Sequence, residues 1–294
     1  MPCHFIQIEA DLVERNRWLE MHREAVAPYL QDELECTVFT FSREEPSERA
    51  TTRIGGPPYW PKEQSWPVCR VCSRVRPQPM QFTAQLDFRG SSLRATMPGD
   101  VLTFHYCLSC HPSRYDEVNP AEAEAFRQRH GLPLPNLPDS MAYAPGGGAL
   151  TWQIVRSDAT LLPISELPEV KDPEEPEIVP FYGTPHRAMD YPTPTAAYGG
   201  GIAGERYTYL CFTLQGTKIG GYPPPIQDFD VPVDTTGCPM RFLGTVGSLT
   251  SRVVDGKDAS DWRRSFMWGD MGSLYLWISD ATPKREMSWF WECY

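Results

Sequence analysis

Cys69-Arg-Val-Cys72 and Cys107-Leu-Ser-Cys110 place two Cys-x-x-Cys pairs in one chain with 34 residues between them. Thiolate sulfur is a soft donor, and four thiolates close a tetrahedron around zinc, each pair forming one knuckle. The spacing favours a structural zinc. A redox pair fits less well, because Cys-x-x-Cys here does not open a helix after a strand; unrelated cysteines are the remaining reading. Four protein ligands would leave no open position for a catalytic water. His105 and His111 flank the second pair. Histidines so placed are ordinarily supporting or surface residues, and both are left out of the ligand set. Cys3, Cys36, Cys211, Cys238 and Cys293 show no ligand spacing and read as buried or free thiols.

Other motifs carry less. Gly199, Gly201 and Gly204 spell G-x-G-x-x-G, but a strand-like run follows where a dinucleotide site needs a helix. No G-x-S-x-G, H-E-x-x-H or P-loop occurs, and no carboxylate pair stands out for acid–base work. Arg70 to Arg94 holds five arginines and one aspartate, read as a solvated knuckle surface, with RNA contact as the alternative. Tyr59, Trp60, Trp66 and Tyr222 sit among prolines on two loops. They either cover the ends of sheets or form a peptide-binding rim, since rigid aromatic side chains bind at low entropic cost.

The elements that must position these groups are mostly β. Thirty of 294 residues are proline, and long helices tolerate proline badly. Leu12, Leu19 and Val26 recur at helical spacing in an N-terminal segment kinked by Pro28. Strand-like runs follow at 36–42, 80–88, 100–107, 206–214 and 271–279, and the C-terminal SWFWECY is too apolar for a loose tail. Asn119-Pro120 opens a short helix that Gly131 ends. Pro112 to Pro194 holds 14 of the 30 prolines, and its acidic run Glu166 to Glu177 reads as a solvated linker, or as a docking tail for a basic client.

An ordered set of short motifs occurs twice. TTRIGGPPYWP (Thr51 to Pro61), PMQFTAQL (Pro79 to Leu86) and GDVLTFHY (Gly99 to Tyr106) are followed, in the same order, by GTKIGGYPPPIQ (Gly216 to Gln227), PMRFLGTV (Pro239 to Val246) and GDMGSLYLWI (Gly269 to Ile278). The pairs Gly55-Gly56 and Gly220-Gly221 permit positive φ or close backbone approach. The expected fold is α+β, mainly β: two β-rich halves from an internal duplication, packed together, with an N-terminal helix and a zinc-knuckle excursion in the first half. The expected segments are 1–35 (helical), 36–111 (first repeat with the zinc site), 112–205 (acidic connector) and 206–294 (second repeat).

The same motif order resembles the YwqG-like proteins, a bacterial family of uncharacterised function. The knuckles, with the Phe-x-x-Gln strand at Phe82 to Gln85, resemble the eukaryotic programmed cell death protein 2 group. The resemblance covers roughly Thr51 to Cys110 and Gly216 to Ile278. It implies a duplicated β-rich fold, a non-catalytic role, zinc at Cys69, Cys72, Cys107 and Cys110, and motif positions at the two Gly-Gly pairs, Gln85, Trp268 and Asp270. The eukaryotic relatives escort a basic ribosomal protein, and bacterial relatives are suspected immunity or accessory proteins in toxin loci. The zinc pairs and the long acidic connector depart from the plain YwqG pattern.

Charge and composition narrow the function. Hydrophobic residues are 41% of the chain and no apolar run approaches the roughly 20 residues a membrane helix needs. The start shows no basic segment followed by an apolar stretch, so a cytoplasmic location is expected. A net charge of −11 opposes nucleic-acid binding and attracts basic partners. The expectation is a zinc-stabilised, non-catalytic protein-binding module, chaperone-like, for a basic protein client. The alternatives are an immunity protein that neutralises a cationic toxin, and an enzyme with a site between the two halves.

Overall fold

Short runs of β-branched and aromatic residues between prolines and glycines favour strands, and the computed structural model is mainly β. It describes residues 8–68, 79–107, 141–143, 149–170, 179–195, 197, 202, 212–224, 230–249, 266, 272–280 and 286–292. Helix α1 (Ile8–Met21) and the single turn α2 (Arg23–Val26) lead into a 3-10 turn over Ala27–Tyr29. Pro28 stands in that turn, where its missing N–H cannot continue the α-helical ladder. The strands are β1 (Leu34–Ser42), β2 (Arg53–Ile54), β3 (Gln81–Asp87), β4 (Val101–Tyr106), β5 (Met141–Tyr143), β6 (Ala149–Val155), β7 (Phe181–Asp190), β8 (Lys218–Gly220), β9 (Arg241–Gly247), β10 (Ser273–Ile278) and β11 (Met287–Glu292). Among the described residues no helix is long and apolar enough to cross a membrane. The helix expected after Asn119, the G-x-G-x-x-G glycines and residues 206–211 of the strand expected over 206–214 lie outside the described residues, and the described end of that run, 212–214, is turn and loop rather than strand.

The chain divides into two compact units. The first comprises Met1–Glu45, Phe88–Met97 and Phe181–Tyr294. Its strands lie in the order β11-β10-β9-β8-β1-β7, all antiparallel. Strand β1, early in the sequence, is thus sandwiched between β7 and β8. The apolar stripe of the N-terminal helices packs here: Leu19 and Val26 are buried with Ala197, Ile202 and Phe212, and Leu12 rests against Cys36, Val38 and Leu214. Burial pushes the Cys36 thiol up to about 12, with the nearby Asp190 carboxylate adding to the effect.

At the end of β7 the Asp190 carboxylate is wholly enclosed. Its Oδ2 accepts from Lys218 Nζ at 2.6 Å and from Tyr222 N at 2.8 Å, and its Oδ1 accepts from Leu214 N at 2.7 Å. Lys218 is also fully buried. Gly220 and Gly221 bring the following loop over this carboxylate at φ of 75° and 74°. A Cβ on Gly221 would stand 2.3 Å from Oδ2, so glycine is required both for φ and for space. A second carboxylate, Asp234, ties a turn to β10: it accepts from Thr236 N at 2.9 Å, Cys238 N at 3.0 Å and the Ser279 hydroxyl at 2.5 Å. These donors, Ser279 first, hold the Asp234 carboxyl down at about 2.

The second unit comprises Pro46–Asp87 and Pro98–Pro180, with strand order β2-β3-β4-β6-β5, again antiparallel. The stretch 112–205, read from sequence as a connector with one short helix, contributes β5 and β6 here and β7 to the first unit. Arg53 is fully buried and clamps the first Gly-Gly loop, donating to Pro57 O at 2.8 Å and Glu48 O at 3.4 Å. Gly55 and Gly56 take φ of 70° and 67°.

The meanders β2-β3-β4 and β8-β9-β10 are alike in detail. Arg53 pairs with Gln85 and Ile54 with Ala84; Lys218 pairs with Thr245 and Ile219 with Gly244. A bulge interrupts β3–β4 between Phe82 and Ala84, and β9–β10 shifts register between Phe242 and Gly244. The Thr52 hydroxyl accepts from Asp87 N at 2.9 Å, and the Thr217 hydroxyl from Gly247 N at 3.0 Å. Gln85 Nε2 donates to Thr51 O at 2.7 Å, and the Thr245 hydroxyl donates to Gly216 O at 2.6 Å.

Two outcomes are expected. Asp190→Asn leaves the Lys218 ammonium buried without its counter-charge, so denaturant unfolding should show a loss of about 3–5 kcal/mol, partly recovered by adding Lys218→Met. An unchanged midpoint would show that the ion pair is not a support of this unit. For Asp234, the folded carboxyl lies below its ordinary 3.8. Its stabilisation is therefore complete above about pH 4 and is lost as pH falls towards 2. Asp234→Asn should be less stable than the parent at neutral pH, with the gap closing over that window in acid melts.

Candidate functional site

In the second unit, strand alternation gathers polar side chains on one face of the sheet. Gln85 stands opposite Thr103, Thr103 opposite Gln153, and His105 opposite both Phe82 and Thr151. Gln85, Thr103, His105 and Thr151 are all buried. A buried polar stripe of this kind must be satisfied by hydrogen bonds. Gln85 is: its Oε1 accepts from Tyr59 N at 2.8 Å, and its Nε2 donates to Arg49 O and Thr51 O, each at 2.7 Å. The Gln64 side-chain amide donates to Gln153.

Indoles roof this stripe. Trp60 is fully buried and donates from Nε1 to Gln64 O at 2.9 Å; Trp66, half-buried, donates to Met80 O at 2.8 Å. The imidazole of His105 lies under both, with ring centroids 5.0 Å from each and 5.7 Å from Phe82, all edge-on. His105 has no exposed surface, and neither Nδ1 nor Nε2 has a hydrogen-bond partner among the described residues. Burial pushes its pKa down to about 3, so the ring is neutral. An unsatisfied buried donor or acceptor costs about 1–3 kcal/mol.

Cys107 and Val68, the residue before Cys69, stand at one end of this sheet. Cys107 is the first residue after β4 and is buried. Gln81 pairs with Tyr106, Met80 N donates to Pro67 O at 2.9 Å, and an isolated bridge joins Val68 to Pro79. The chain thus leaves for Cys69 and returns beside the end of β4. Cys69, Cys72 and Cys110 lie outside the described residues, as do Trp268 and Asp270. Among the described residues no three His, Cys, Asp or Glu side chains are grouped to hold a metal.

The remaining candidates sit inside rather than on a rim. Tyr59 and Trp60 are buried, and Tyr59 donates its hydroxyl to Ala159 O at 3.2 Å. Gln85 binds its own loop, because a buried amide beside β2 has only backbone groups to answer it. Trp66 and Tyr222 keep part of their surface open, and Tyr222 donates its hydroxyl to Asp32 O. Two residues outside the sequence-derived site are the most enclosed polar groups described above: Asp190, which no motif marks, and His105, set aside from the ligand set as a supporting or surface residue and found wholly buried.

No curated protein matches the sequence. Residues 52–286 match a domain of unknown function, DUF1963, which is the YwqG-like domain. That span takes in both Gly-Gly loops, both meanders and the four paired cysteines, and the chain accordingly belongs to the DUF1963 family.

Proposed function

We propose that this protein is a non-catalytic, cytoplasmic protein-binding module, chaperone-like in effect, stabilised by zinc at Cys69, Cys72, Cys107 and Cys110 and carrying an acidic surface for a basic protein client. The observation that supports the zinc reading is the closure at Val68–Pro79 beside the end of β4, so that the residue before Cys69 and the buried Cys107 border the same end of the sheet. When bound, zinc would supply a cross-link between the two chain excursions and no open position for chemistry. The equal registers, equal bulges and equal threonine bonds of the two meanders support descent from an internal duplication. The kinship to the programmed cell death protein 2 group rests on the order of the motifs. Client chemistry follows from the net charge of −11, which steers basic partners and repels phosphate. Tyr59, Trp60, Gln85, Arg53 and Lys218 are occupied in holding the loops, which leaves the outward-facing charge as the recognition element.

Metal analysis of the purified chain should find about one zinc per chain, and Cys69→Ser with Cys72→Ser should abolish it. Metal retained after that change would refute the ligand set. Affinity purification should recover a basic protein whose retention weakens as salt rises. Recovery of no basic protein at low or moderate salt would count against the client reading, and recovery of a cationic toxin would make the module an immunity protein.

A further inference from the structure

We propose that the cavity between helix α1 and the β1–β7 ladder is a binding site for a small monocarboxylate with a short apolar body. The cavity lies wholly within the first unit, and the inference stands apart from the zinc and client readings above. Its volume is about 360 Å³, within the range that small-molecule sites occupy. Leu12 and Arg15 line it from α1, Glu35 from β1, Arg187 and Ala188 from β7, and Tyr191 from just beyond β7.

Arg15 is the anchor. Only 6% of it is exposed, yet it forms part of the cavity wall. Its Nη2 donates to Phe212 O at 2.9 Å, and its guanidinium lies over the Tyr191 ring, 5.3 Å from the centroid. Tyr191 N donates to the same carbonyl at 3.2 Å, so ring and carbonyl are themselves tied together. A guanidinium held in this way loses little further freedom when a ligand arrives. Its planar fork matches the two oxygens of a carboxylate better than any other common group. Arg187 is exposed on β7 opposite Thr37 and brings a second guanidinium to the solvent side of the wall. Leu12 and Ala188, both half-buried and packed on the Cys36 cluster, give the wall its apolar part.

The charges set the class of ligand. Among the described residues the wall carries two cations, Arg15 and Arg187, and one anion, Glu35. That balance suits one negative charge on the ligand and disfavours a second. The net charge of −11 repels anions from the chain in general, so an anion retained here is held by the cavity and not by the overall field.

The test is titration of the full chain with hexanoate, read by calorimetry and by the methyl NMR signals of Leu12 and Ala188. Binding should saturate and shift those methyls. Hexanol and hexylamine, which lack the carboxylate, should bind at least about tenfold more weakly. Arg187→Ala, which removes an exposed side chain, should weaken hexanoate about tenfold, and Arg187→Lys should recover part of the loss. Glu35→Gln should tighten it, because the repelling carboxylate is gone. The ligand-free methyl spectrum of each variant verifies that it is folded. Absence of saturable hexanoate binding, equal affinity for hexanol, or shifts confined to methyls outside this cavity would overturn the inference. Unchanged affinity in Arg187→Ala would overturn it as well.

Discussion

The Asp190 carboxylate has no route to water, and the first unit is built so that it needs none. Burying an ionised carboxylate is affordable only when opposite charge and hydrogen-bond donors replace its hydration. Lys218 supplies the charge, and the amides of Leu214 and Tyr222 supply the donors, so the one stretch from Leu214 to Tyr222 is fixed at three points to the end of β7. That convergence sets where β8 lies against β1, and forces the Gly220-Gly221 turn, because no side chain fits between Gly221 and the carboxylate. A buried charge of this kind specifies geometry more than it adds stability, since a well-packed apolar substitute is often as stable.

In the second unit the buried Arg53 donates to the carbonyls of Pro57 and Glu48, and the loop is held by the amide of Gln85, which donates twice and accepts once. Among the described residues His105 is a buried ring whose nitrogens meet aromatic edges and faces in place of polar atoms.

Much of the β architecture was legible residue by residue. The runs at 36–42, 80–88, 100–107 and 271–279 became β1, β3, β4 and β10, because alternation of apolar and polar side chains is a local property that the sheet merely uses. The N-terminal stripe was legible for the same reason: Leu19 and Val26 recur on one helix face and are buried. β6 and β7 were not, since prolines crowd the surrounding sequence and Pro185 stands within β7 itself, against the usual expectation for a strand. Strand β7 survives because β1 pairs with it from Tyr182 to Asp190, a long-range gain that local propensity does not contain.

By itself the sequence determined that the chain is β-rich, that glycine pairs stand at two equivalent turns, and that its soft ligands come in two knuckle-spaced pairs. Those are consequences of residue type and short spacing. Only the tertiary structure decided which aromatic rings are interior, that β1 lies beside β8 rather than with the strands that follow it, and that Asp190 and His105 are the two buried polar groups of most consequence. The physical reason is that burial belongs to the assembled sheet: whether a carboxylate finds a lysine 28 residues away, or a histidine finds no partner among the described residues, is settled by register and packing.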